Sequence, residues 1–231
     1  MSTVPNERQR LIEEIRIHRE IRDREYADDC KLWAHEQVRT VDEATEQVRA
    51  WPSNKPYIDE LFDVFEDEQL IALPKSRRLM VTWSVALWAT WRARYHPYNA
   101  IYIQSDKEEK SAYFTDKRCK WIEDNLAEAW VRRPYESIRT SRGMVGRITY
   151  PDSHSYLVAV AQGPDMIRSY TATAIIMDEC EFQESAHAAL TAMMPLIELN
   201  KSVKLILIST SNGPGGILAG ICKDVGFVRW S

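Results

Sequence analysis

The chain has 231 residues, with 30 Lys and Arg against 34 Asp and Glu and a formal net charge of −4. That length buries one sizeable core. The mild acidity excludes a nucleic-acid partner recruited by net charge, so any such contact needs a local basic patch. No apolar run approaches the ~20 residues that span a bilayer. Residues 1–10 are polar and lack a signal peptide's apolar segment. Cys30, Cys119, Cys180 and Cys222 are scattered, with no CxxC pair. The expectation is reduced thiols in a cytosolic protein.

Residues 7–48 read as helix. Leu11, Ile12, Ile15 and Ile21 give a partial apolar stripe amid dense mixed charge, and Leu32, Trp33, Val38 and Val41 continue it. Two readings stand for this region: a solvated helical hairpin packed on the core, or a docking arm for a partner protein. Pro52 and Pro56 then break the pattern, and Ile58, Leu61, Phe62 and Phe65 resume helical spacing. Residues 69–73 read as a short buried strand, and residues 83–95 as a strongly apolar helix.

Between that strand and that helix lies Lys75-Ser76-Arg77-Arg78-Leu79-Met80-Val81-Thr82. A strand–loop–helix unit is where a phosphate cradle is built. Helix N-terminal amides hold phosphate oxygens, a cation neutralises charge and a Ser or Thr hydroxyl meets Mg²⁺. Thr82 stands where that hydroxyl belongs, and Lys75, Arg77 and Arg78 supply cations. The GxxxxGK[ST] pattern fails, because position 81 is Val, position 80 is Met and the loop has no glycine. By itself the stretch fits a basic turn before a core helix as well as a phosphate loop.

Further on, residues 99–104 read as a strand and residues 107–131 as a long helix. A basic segment follows, with Arg132, Arg133, Arg139, Arg142 and Arg147. It is either a solvated loop or a surface for DNA phosphates or a neighbouring subunit. Residues 147–150 and 156–161 read as paired strands. Ala174, Ile175, Ile176 and Met177 then form an apolar run that suits a strand buried on both faces, and it ends in Asp178 and Glu179. Open α/β sheets bind ligands where parallel strands end. Two adjacent carboxylates there divide labour, one holding Mg²⁺ and the other orienting and deprotonating a water. This is the pattern of a Walker B strand with a catalytic glutamate. A helix over residues 185–199 carries Pro195, expected to end or kink it. Residues 203–208 form another buried strand, ending in Ser209, Thr210, Ser211 and Asn212. A polar cluster there is placed to sense a γ-phosphate.

Taken together, Lys75 to Thr82, Asp178-Glu179 and Ser209 to Asn212 resemble the ATPase domain of the large terminase subunit of tailed bacteriophages, over about residues 50–215. In that family the phosphate-loop lysine often opens the loop, and Lys75, Ser76, Arg78 and Thr82 match that variant. The departure is Met80, where the family usually has glycine. A bulky residue fits there if its φ is negative. An aromatic, proline-bearing stretch that contacts adenine is matched by Trp51, Pro52 and Tyr57. A run with an arginine shortly before Walker B is matched by Gly163, Arg168 and Ser169. The coupling motif is matched by Ser209, Thr210 and Ser211.

The resemblance implies an α/β fold of P-loop NTPase-like (ASCE) type, a mostly parallel sheet flanked by helices. A helical N-terminal extension would occupy residues 1–50 and the ATPase domain residues 51–231. The expected strand order puts residues 203–208 between the strand before Lys75 and the strand before Asp178. The implied activity is ATP hydrolysis driving double-stranded DNA into a viral procapsid. Lys75 would bind β/γ-phosphate oxygens, aided by Arg77 or Arg78. Thr82 and Asp178 would hold Mg²⁺, Glu179 would polarise the water, and Arg168 would act as an arginine finger in trans. Implied partners are double-stranded DNA, the capsid portal, the small terminase subunit and further copies in a ring of five, with no membrane. The setting would be the host cytoplasm, with transient docking on the procapsid. The family's C-terminal nuclease domain is expected to be absent from this chain, so no nuclease activity is expected of it. Two other functions remain open: a helicase-like DNA-dependent ATPase, and a degenerate nucleotide-binding scaffold without turnover.

Overall fold

The computed structural model describes residues 7–42, 45–76, 79–163, 171–210, 216–223 and 228–229. The N-terminal region begins with helices α1 (Glu7–Asp28) and α2 (Cys30–Gln37). The Asp29 side chain caps α2 by accepting from the Leu32 N–H at 3.0 Å. The expectation of helix to residue 48 is corrected beyond Val38. Strands β1 (Arg39–Asp42) and β2 (Gln47–Ala50) form an antiparallel hairpin. Its turn needs neither Gly nor Pro, because Asp42 accepts the Thr45 N–H through its side chain and Glu46 takes a φ of 55°. Nor is the whole region an appendage. Cys30, Trp33, Ala34 and Val38 are buried in one core with Phe62, Phe65 and Trp88. Much of α1 stands clear of that core, with Leu11, Ile12, Ile15, Ile17 and Ile21 exposed, while Tyr26 near its end is buried in it.

Next comes α3 (Pro56–Asp67), with Pro56 at its start, where a missing N–H costs nothing. Strand β3 (Leu70–Lys75) leads to α4 (Val81–Tyr95), and β4 (Ala100–Gln104) follows. The long helix expected over 107–131 is instead α5 (Glu108–Phe114), a π-helical segment Thr115–Lys120 and a short α-turn Trp121–Asp124. The basic segment is partly strand. Here β5 (Glu136–Arg139) pairs with β6 (Val145–Tyr150), which pairs with β7 (Ser155–Val160), both antiparallel. The chain continues with β8 (Ala174–Asp178), a helix Ala186–Leu199 that runs through Pro195, β9 (Lys204–Thr210), a short helix Ile217–Ile221 and β10 (Val228–Arg229).

Among the described residues the main sheet has eight strands in the order β10-β3-β9-β8-β4-β7-β6-β5. Every pairing from β10 through β7 is parallel. As expected, β9 lies between β3 and β8. Alternation along these strands builds two cores. Ile71, Leu73, Ile206, Ile208, Ile176 and Ile103 face the layer containing α4. Ala72, Leu205, Leu207, Ile175 and Met177 face the helix Ala186–Leu199, which meets them with Ala186, Ala189, Met193 and Ile197. Each fully buried Ile or Leu stabilises the fold by about 1.5–3 kcal/mol, which holds the central strands in register.

Helix α4 is buried nearly all round, so it is locked between the sheet and the N-terminal helices. The indole N–H of Trp88 donates to Glu66 at 2.6 Å and that of Trp91 to the Tyr26 carbonyl at 2.7 Å. At its far end Arg94 and Glu123 form a buried ion pair, and Tyr150 donates to the same carboxylate. These ties fix the end of α4 away from the loop and leave its N-terminus to position the site.

Candidate active site

The carboxyl ends of β3, β9 and β8 lie side by side. Lys75 is level with Thr210, Pro74 with Ser209, and Asp178 with Ile208. Lys75 and Asp178 continue the rows of Leu73 and Ile176, so both project to the α4 side of the sheet, where Thr82 sits in the helix's first turn. Lys75 Nζ donates to Thr82 Oγ1 at 2.7 Å. It also lies 3.4 Å from Asp178 Oδ1 and 3.3 Å from Glu179 Oε1. The side chains of Lys75, Asp178 and Glu179 keep 11%, 15% and 27% of their surface exposed. The cluster is thus sheltered but open to solvent.

Burial pushes the Asp178 carboxyl above its ordinary value. The Lys75 ammonium opposes that rise and the neighbouring Glu179 carboxylate adds to it. Glu179 takes the left-handed conformation, φ 52° and ψ 42°, directly after β8. That turn brings its carboxylate back beside Asp178 instead of continuing the strand. The buried Ser209 hydroxyl donates to Glu179 Oε2 at 3.2 Å.

Met80 fails the condition set for a bulky residue at this position. It is the residue before α4 and has φ 58° and ψ 8°, the left-handed region that favours glycine. The negative φ that would let a bulky residue fit here is not adopted. The loop therefore enters α4 through the backbone shape that a glycine would take. The strain is held by packing of the Met80 side chain on the core and by hydrogen bonds of 2.9 and 3.1 Å from the Ser84 N–H and hydroxyl to the Met80 carbonyl.

The three residues expected at a nucleotide base separate. Trp51 is a core residue, 3% exposed and packed on Phe62 with ring centroids 6.1 Å apart, so it presents no face to a base. Pro52 is half-buried beside it. Tyr57 reaches the loop, its hydroxyl 3.5 Å from the Leu79 carbonyl. Ser76 is exposed, and Thr210 is half-buried at the end of β9. Arg77, Arg78, Arg168, Ser169 and Ser211 lie outside the described residues. Two residues of the site escaped sequence reasoning. Gln183 donates its side-chain amide to the Asp178 carbonyl at 3.0 Å, and the Glu181 N–H donates to Ser209 Oγ at 3.3 Å. The one local signal was a third carboxylate, two residues beyond Glu179.

A divalent cation fits this set, because the Thr82 hydroxyl and the Asp178 carboxylate are hard oxygen donors that already converge on one cationic atom, Lys75 Nζ. A phosphate group fits the same place, since Lys75 and the N-terminus of the 15-residue α4 both favour anions.

The strand order and the placement of Lys75, Thr82 and the carboxylates define a P-loop NTPase-like fold with one strand inserted between the loop strand and the acidic strand. More narrowly, the fold is similar to part of a phage large terminase. The HK97 bacteriophage large terminase superposes with a TM-score of 0.60 at 10% identity, over 88% of this chain and 43% of that one. The Thermus phage P74-26 large terminase ATPase domain gives 0.46 at 16% identity, over 63% and 60%. The large terminase of another thermophilic bacteriophage, in complex with ADP, gives 0.47 at 12% identity, over 78% and 42%. At these identities the likeness is one of fold, and the matched regions span less than two thirds of those proteins. No family model matches the sequence.

Proposed function

We propose that this chain is the ATPase motor part of a viral large terminase, hydrolysing ATP to drive double-stranded DNA into a procapsid. The observation that carries the reading is the convergence of Lys75, Asp178 and Glu179, from the carboxyl ends of the parallel strands β3 and β8, with Thr82 in the first turn of α4 and Ser209 on β9 between those strands. In this reading water attacks the γ-phosphorus in line, its oxygen forms the new P–O bond, and ADP leaves with the electrons of the broken bond. Lys75 binds phosphate oxygens and so gives up its bond to Thr82. Thr82 and Asp178 would hold Mg²⁺, which would supply charge neutralisation to the phosphates. Glu179 orients the water and accepts its proton. Positioning and charge stabilisation supply most of the rate. The portal, the small terminase subunit, a ring of like subunits and docking on a procapsid in the host cytoplasm belong to the same proposal.

Hydrolysis of ATP with Mg²⁺, with and without DNA, tests the reading against a Glu179→Gln control. The variant should keep ATP binding while turnover slows roughly 10²–10⁴-fold, the scale of losing a general base. Equal turnover removes Glu179 from the mechanism. Binding without turnover in the wild-type assembly leaves a nucleotide-binding scaffold. Separation of a forked duplex, in place of movement on intact duplex, identifies a helicase-like ATPase.

A further inference from the structure

Glu181 lies in the short 3-10 turn Cys180–Phe182 that follows Glu179. Its carboxylate does not point at the phosphate side. Oε2 accepts the Ile217 N–H at 3.0 Å, and Oε1 accepts the Leu218 N–H at 2.6 Å. These are the first two amides of the helix Ile217–Ile221. Gly216 stands so close that an added Cβ would lie 2.3 Å from Oε2 and 2.6 Å from Oε1. Only glycine lets the chain pass there without displacing the carboxylate. The backbone N–H of Glu181 donates to Ser209 Oγ at 3.3 Å, and that hydroxyl donates its own proton to Glu179 Oε2 at 3.2 Å.

The hydrogen bonds therefore form an ordered chain. Ser209 has one hydroxyl proton. The Glu181 N–H occupies its acceptor side, so the rotor is set with the proton toward Glu179. A shift of the Glu181 turn moves the donor, and with it the carboxylate that faces Lys75. Beyond the helix, β10 pairs with β3, the strand that ends in Lys75. The C-terminal segment is thereby tied to both sides of the site.

We propose that Glu181 is a positioning residue for Glu179, acting through Ser209, and that this chain of hydrogen bonds makes segment 216–223 respond to the state of the nucleotide site. The inference rests on the ATPase reading above. Glu181 touches no reacting atom. Its role is to hold the Ser209 hydroxyl in line and to pass a change at Glu179 to the first turn of the helix Ile217–Ile221. A helix cap alone would affect stability and leave the catalytic step untouched.

The test uses the full chain with ATP and Mg²⁺. Two substitutions disturb the link from opposite sides. Glu181→Gln removes one acceptor, and Gly216→Ala pushes the carboxylate while leaving its chemistry intact. Both should lower kcat roughly 10- to 100-fold, the scale of a small misplacement of a catalytic group, with KM changed less than about twofold. Hydrogen exchange of segment 216–223 in the wild-type chain needs no substitution. A non-hydrolysable ATP analogue should change the exchange of Ile217 and Leu218, and Ser209→Ala should abolish that change. Wild-type kcat in both variants, or exchange at 216–223 indifferent to a bound analogue, overturns the relay while the ATPase reading stands. A wild-type chain that neither binds the analogue nor turns over overturns the ATPase reading and takes the relay with it.

Discussion

Lys75 Nζ and Asp178 Oδ1 lie 3.4 Å apart, with Thr82 Oγ1 2.7 Å from the same ammonium. The lysine thus stands between the two side chains expected to hold the metal and neutralises the acidic pair itself. Nucleotide and cation would draw it toward phosphate and leave Thr82 and Asp178 free.

Lys75→Ala should weaken ATP binding roughly 10- to 100-fold, the equivalent of the ~1.5–3 kcal/mol of a hydrogen bond to a charged group. Calorimetric titration with an ATP analogue and Mg²⁺ measures it. Unchanged affinity would move the phosphate cation to Arg77 or Arg78.

Asp178 gives a pH-dependent expectation. Its carboxyl is held above the ordinary value by burial, so the folded state binds a proton more readily than the unfolded chain. The stability from that proton is fully present below the ordinary carboxylate range and is lost as pH rises through the raised value. Asp178→Asn should therefore be at least as stable as wild type near pH 7 without nucleotide, and its advantage should shrink on acidification. With Mg²⁺ and ATP the order should reverse, because the variant would lose the proposed metal ligand. Thermal unfolding from about pH 4.5 to about pH 8, with and without Mg²⁺-ATP, reads both effects. A variant less stable than wild type at neutral pH without nucleotide would mean that the Lys75 attraction outweighs burial.

Met80 holds a left-handed backbone at a cost of about 1–2 kcal/mol for an L residue. Met80→Gly removes that strain and loses some packing, so stability should change by no more than about 1 kcal/mol. Met80→Val should cost about 2 kcal/mol or more, because branching at Cβ opposes positive φ. Denaturant unfolding of the two variants distinguishes them. Equal stability would mean that the loop re-forms with a negative φ.

Arg168 lies outside the described residues, and its role is argued from sequence. Lys75, Arg77 and Arg78 are candidate cations for one chain's own loop, so a further arginine ten residues before Asp178 is proposed to serve a neighbouring subunit. A finger supplied in this way contributes roughly 10³–10⁵ in rate. The isolated chain should be a weak ATPase whose specific activity rises with concentration or on the portal. Mixing Arg168→Ala with Glu179→Gln subunits should recover activity, since an intact arginine then faces an intact glutamate across an interface. Silent mixtures, with activity independent of concentration, would leave Arg168 a structural residue of its own loop.

The sequence alone determined the central strands and the order of their polar ends. Apolar runs such as Ala174 to Met177 and Leu205 to Ile208 bury on both sheet faces whatever surrounds them, and the residue that ends each run must emerge at the sheet's edge. Lys75, Asp178 and Ser209 were legible for that reason. Tertiary structure decided what depends on distant neighbours. An aromatic residue is the same letter in a core or on a ligand, and only the packing of Phe62 puts Trp51 inside. The hairpin β1–β2 was hidden because its turn is made by the Asp42 side chain and a left-handed Glu46, not by Gly or Pro. Met80 is left-handed at the entry to α4, a conformation its letter alone does not encode. Glu181 became part of the site only when residues 36 and 37 positions further on folded back to its carboxylate, a contact that no local spacing encodes.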